Sequence, residues 1–90
     1  NIINAHNKAV EFECSSAHNI KSITINVYAI HGAHYTKFTY DCNTTHHSVF
    51  WYGNTLQGNT LQAGAYIVTV SCELHNSIVV EKSFRCLIQK

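Results

Sequence analysis

Cysteines stand at positions 14, 42, 72 and 86 of a 90-residue chain, and their placement constrains the fold more than any other feature. The first lies just inside the start and the last just inside the end. Four cysteines allow three pairings, and the sequence leaves all of them open. In one of them, a Cys14–Cys86 bridge would close nearly the whole chain into a single loop. Such a loop contributes roughly 4–5 kcal/mol by constraining the unfolded state. That is a large share of the about 5–15 kcal/mol by which a small domain is stable at all. An even cysteine count in so short a chain reads as a disulfide framework and therefore as a secreted protein. The competing reading is a set of free buried thiols in a reducing compartment.

Ninety residues make one domain, spanning 1–90, in which residues 1–8 show little periodicity and read as a loose arm. Hydrophobic content of 46% against 12% charged residues argues for a packed core rather than disorder. The chain opens on Asn1 without an initiator methionine, so we expect a mature fragment whose targeting segment has been removed. No apolar run reaches the length of a membrane-spanning helix, and no membrane partner is expected. A net charge of +1 is no footprint for nucleic acid. The seven histidines would make the surface cationic only in an acidic compartment.

Along the chain, Val10, Phe12 and Cys14 alternate as a first strand, and residues 15–19 form a polar break. The next segment carries two conflicting patterns. Ile23, Ile25, Val27 and Ala29 alternate as a strand, while Ile20, Ile23, Val27 and Ile30 fall at helical spacing. Asn19 offers an N-cap and Gly32 a stop. Strand patterns follow at residues 35–42 and 48–52, with a His46-His47 turn between them. The clearest strand covers residues 65–73, then a turn at 74–77 leads into residues 78–81 and a last strand at 83–88. Gly53-Asn54-Thr55-Leu56-Gln57 is repeated at once as Gly58-Asn59-Thr60-Leu61-Gln62, a loop or small hairpin suited to carrying contacts.

Tests for chemistry are mostly negative. Cys42 with His46 and His47 lacks the second ligand pair a structural zinc needs, so no metal and no cofactor is expected. Neither a nucleophile elbow nor a phosphate-binding glycine loop is present. Asn43-Thr44-Thr45 is a glycosylation sequon, in keeping with secretion.

A more specific pattern runs through the second half. The strand Val49-Phe50-Trp51-Tyr52, the strand Gly64-Ala65-Tyr66-Ile67-Val68-Thr69-Val70 and the return Ile78-Val79-Val80-Glu81 precede Phe84-Arg85-Cys86. This order resembles the back half of small secreted fungal ribonucleases. Gly32-Ala33-His34-Tyr35 resembles that family's histidine-bearing strand. With the Phe12-Glu13-Cys14 opening, the chain resembles the catalytically inactive RNase-like effectors that powdery mildew fungi secrete. The resemblance implies an α+β fold, one short helix at residues 20–30 packed on a small antiparallel β-sheet. It implies a bridge between Cys14 and Cys86 but requires none between Cys42 and Cys72, which stand on two different strands as candidates for a second. It also implies a dead site. His34 stands where the family has a histidine, but Phe50, Ile67 and Glu81 fall where it has its general base, phosphate-binding arginine and general acid. Phe50 and Ile67 can neither move a proton nor hold a phosphate, and the Glu81 anion would repel one.

The function implied is that of a non-enzymatic virulence effector, delivered into plant cells. It would bind host proteins there, and an intracellular immune receptor of the leucine-rich-repeat class would recognise it as an avirulence protein. The candidate contact residues are His46 and His47, then Asn54, Thr55, Leu56 and Gln57, and their repeats Asn59, Thr60, Leu61 and Gln62. One alternative keeps the fold and binds RNA without cleaving it, with Tyr35, Trp51 and Tyr52 stacking on bases. The other makes residues 23–29 a strand and the chain an all-β, immunoglobulin-like sandwich serving as a secreted interaction module.

Overall fold

The computed structural model describes residues 1–90 and contains no helix. Its strands are β1 (Ile2–Ile3), β2 (Val10–Ala29), β3 (His34–Trp51), β4 (Gly64–Leu74) and β5 (Val79–Ile88). They form one sheet in the order β1-β5-β4-β2-β3, curled into a half-barrel. All neighbours are antiparallel except β1 and β5. The α+β expectation is therefore overturned. Of the two architectures weighed, the all-β one is nearer, although a single curled sheet replaces two stacked ones.

The decisive segment is residues 20–30. As a strand it places Ile23, Ile25, Val27 and Ala29 on the buried face, and it pairs with β3 on one side and β4 on the other. Both backbone edges are thereby satisfied along the β-branched run, which a helix would have to crowd. The end signals for a helix do other work. The Asn19 carbonyl accepts from the His75 N–H at 3.1 Å, and Gly32, at φ 103°, forms the β2–β3 turn. In that turn the Gly32 N–H donates to the Ala29 carbonyl at 2.9 Å.

The polar break at 15–19 bends the strand without ending it. Pairing with β3 jumps from Ser15–His46 to Ile20–Thr44, so β2 advances further than β3 and bulges out of the ladder. Val10, Phe12 and Cys14 before the bulge and Ile20 after it all point inward, and a second register shift between Ile20 and Ser22 then turns the odd-numbered Ile23, Ile25, Val27 and Ala29 to the core. The bend lets the first half of β2 fold back over the concave face. His46 and His47 consequently lie inside β3, not in a turn, and β3 joins the two strands expected at 35–42 and 48–52. Residues 78–81 and 83–88 likewise merge into β5.

Cross-strand rows describe both faces. Phe38, Ile25, Val70 and Lys82 form an inner row, and Thr39, Thr24, Ser71 and Glu81 an outer one. The inner surface is the core, centred on the fully buried Trp51, Ile20, Ile23, Ile25, Val27, Val68 and Cys86. Each such aliphatic contributes about 1.5–3 kcal/mol on burial. The repeated loop closes one end as a small hairpin. Asn54 bridges Thr60, the Leu61 N–H donates to the Gly53 carbonyl at 2.9 Å, and Leu61 plugs the core. Gly53 is required there. Its φ is +76°, and a Cβ would come within 3.2 Å of the Ile88 Cδ1.

Candidate interaction edge

Strand β5 ends the sheet on one side, and most of it has no neighbour beyond. Only Leu87 and Ile88 are covered, by Ile2 and Ile3 of β1. The Leu87 N–H donates outward to the Asn1 carbonyl at 2.9 Å, and the Gln89 N–H to the Ile3 carbonyl at 2.9 Å. Because backbone groups alternate sides along a strand, the N–H and C=O groups of Val79, Glu81, Ser83 and Arg85 also face outward. The ladder to β4 is free of register shifts, so this alternation is unbroken.

The same segment exposes aliphatic side chains. Ile78, Val79 and Val80 are 54%, 59% and 48% exposed, one after another. A tight hairpin precedes them. The Leu74 N–H donates to the Ile78 carbonyl at 2.9 Å, the Ser77 N–H returns to the Leu74 carbonyl at 3.0 Å, and Ser77 sits at φ 69°. The Asn76 side chain accepts from the Ile78 N–H at 3.2 Å. Charged residues flank the aliphatics. Glu81 accepts a hydrogen bond from the Ser71 hydroxyl at 2.6 Å, and Lys82 and Arg85 are exposed.

Inside the curl, next to this edge, lies a pocket of about 150 Å³. Phe12 and Cys14 of β2, Cys72 of β4, and Val80, Lys82 and Phe84 of β5 line it. The Cys14 thiol is pushed up to about 12, mainly by burial and then by its hydrogen bond with Cys72 and the neighbouring Cys72 and Cys42, with Lys82 opposing. Burial also raises Cys42, beside Asp41. Cys86 is pushed up to about 11 by burial, against a lowering from the amino terminus. All four are free thiols in this structure. The fold brings Cys14, Cys72 and Cys42 together. Cys86 lies six residues along β5 from Val80, the partner of Cys72, a separation of about 20 Å at strand rise.

The other sequence-derived candidates do not converge. His46 faces Glu13 at 3.8 Å, an exposed pair of little energetic weight, and His47 stands opposite Cys14 in the ladder. In the loop, Leu56, Gln57, Asn59, Thr60 and Gln62 are exposed, Asn54 and Thr55 are half-buried, and Leu61 is core. The Leu56 N–H donates to the buried Thr36 hydroxyl at 2.9 Å. Among the positions aligned with a nuclease site, His34 bonds Asn26 at 2.9 Å and Phe50 sits on the far edge strand opposite Glu11. Ile67 and Glu81 lie on β4 and β5. Trp51 is only 1% exposed and donates its Nε1–H to the Asn54 carbonyl at 2.9 Å, so it presents no face to a base.

By sequence, residues 78–81 read as an ordinary return strand rather than as an edge. The available signal was the run of consecutive aliphatics followed at once by Glu81 and Lys82, a charge pattern characteristic of edge strands. Comparison with protein-family models, with curated proteins and with solved structures finds no match.

Proposed function

We propose that this chain is a non-enzymatic interaction module that captures an extended segment of a partner protein by strand addition to β5. The observation that carries the reading is the unpaired outward row of backbone donors and acceptors from Val79 to Arg85, beside exposed Ile78, Val79 and Val80. In strand addition the main-chain bonds supply affinity, and side chains alternating to the two faces supply selectivity. Here the convex face offers Val79, Glu81, Ser83 and Arg85. The concave face offers Val80 and Lys82 at the mouth of the pocket. Charges along the edge discourage indiscriminate pairing and favour a partner strand of complementary charge. In the secreted setting expected from the cysteines, such a module would join exported or surface proteins.

Panning a displayed library of random linear heptapeptides against the protein tests this. Selected peptides should bind the wild type and lose at least tenfold in affinity for Ser83→Pro, which removes an outward N–H without touching the ladder to β4. Peptides that bind both proteins equally would reject the edge as the binding site.

A further inference from the structure

We propose that the segment docking on β5 is β5 of a second copy of this chain, aligned antiparallel about a two-fold axis at Ser83. The inference rests on the strand-capture reading and names its partner.

Symmetry restricts the possible registers. A two-fold axis that relates antiparallel strands stands perpendicular to the sheet and keeps each side chain on its own face. Directly opposed residues must therefore be both odd-numbered or both even-numbered. β1 limits the edge at Leu87, and the hairpin turn limits it at Ile78. Centring the axis on Glu81 or Lys82 would set like charges against each other. Centring it on Ser83 sets Glu81 opposite Arg85 of the second copy and Arg85 opposite its Glu81. No other register on the free segment opposes an acid to a base. The Ser83 register uses residues 80–86, which stop just short of the β1 contact, so β1 need not move.

The backbone agrees with this register. Glu81, Ser83 and Arg85 all direct their N–H and C=O groups outward, so each opposed pair is a hydrogen-bonded pair. Opposite charges placed directly across strands stabilise the pairing, and like charges oppose it. Glu81 is half prepared, since the Ser71 hydroxyl already holds one of its oxygens at 2.6 Å. A single pair of edge strands buries less than the roughly 1,200–2,000 Å² of a stable interface, so the dimer should be concentration-dependent.

Sedimentation velocity across a wide concentration range, with a thiol reductant present to exclude intermolecular disulfides, tests the inference. The wild type should pass from monomer to dimer. Glu81→Arg and Arg85→Glu should each weaken dimerisation about tenfold or more, because each puts like charges together at two symmetric positions. The double charge swap Glu81→Arg/Arg85→Glu should recover it. Ser83→Pro should also weaken it, and the surface charge variants keep the test sound should the proline variant not fold. A dimer indifferent to these changes would use another surface and overturn the proposal. A wild type that stays monomeric, yet binds panned heptapeptides in a Ser83→Pro-sensitive way, would overturn the second copy while leaving strand capture standing. Absence of both dimer and edge-dependent peptide binding would end both.

Discussion

Phe12 of β2 and Phe84 of β5 meet with ring centroids 5.2 Å apart and planes tilted by 48°, although β4 lies between their strands in the sheet. Contact across an intervening strand requires the sheet to curl. The bulge after Ser15 supplies the bend, and the paired rings hold it closed over the concave core.

That contact should be measurable as a coupling. Phe12→Ala, at a buried site, should cost about 3–5 kcal/mol, and Phe84→Ala, at a half-buried one, about 2–3 kcal/mol. In urea unfolding followed by Trp51 fluorescence, the double variant should lose less than the sum. A coupling of about 0.5–1.5 kcal/mol is expected for an aromatic pair. Strict additivity would mean that the rings do not close the curl.

The repeated loop is pinned to the core by two polar tips of aromatic residues. The Tyr66 hydroxyl donates to the Gln62 carbonyl at 2.6 Å, and Trp51 lies edge-on to Tyr66 at 6.4 Å while bonding Asn54. Tyr66→Phe should cost about 1 kcal/mol. Amide exchange should then speed up in residues 54–62 while β4 stays protected. Unchanged exchange in the loop would show that the hydroxyl does not anchor it.

Thiol burial makes the reduced protein alkali-sensitive. The Cys14 and Cys86 thiols are raised from 9.0 to about 12 and about 11 in the folded state, chiefly by burial. Since their folded values exceed the unfolded one, their contribution to stability is full below about pH 9 and is lost as pH rises through the folded values. The melting temperature measured under a phosphine reductant should fall steeply above pH 9. Cys14→Ala and Cys86→Ala should flatten that slope. Alkylation at pH 8 should mark half-buried Cys72 and Cys42 before Cys14 and Cys86.

Oxidation should select one pair. In a glutathione disulfide buffer, the half-buried Cys72 sulfur attacks the reagent and releases one glutathione, and the neighbouring Cys14 then attacks Cys72 in the mixed disulfide and releases the other. One glutathione disulfide is thereby reduced to two glutathione thiols. Peptide mapping of the unreduced protein should recover Cys14 linked to Cys72. This closure of a long loop should stabilise by about 4 kcal/mol. Recovery of Cys14 linked to Cys86 instead would require the first half of β2 to lie elsewhere on the sheet.

Local pattern determined much of this protein. Strand β4 is legible because Tyr66, Val68, Val70 and Cys72 alternate with Ile67, Thr69 and Ser71, mostly polar, and no competing period crosses them. The hairpin at residues 74–78 and the compact repeat loop follow from the same kind of signal, in which each residue reports on its own neighbours, whereas the absence of a helix does not. Tertiary structure decided the rest. Residues 20–30 satisfy helical and strand periods alike, and only β3 and β4 on either side made the strand the better home for their backbone groups. Grouping Cys14 with Cys72 rather than Cys86 depended on the curl, which a bulge and a distant phenylalanine set together. The candidate site is an edge. An edge is defined by the strand that does not come next, a property of sheet order that no window of sequence contains.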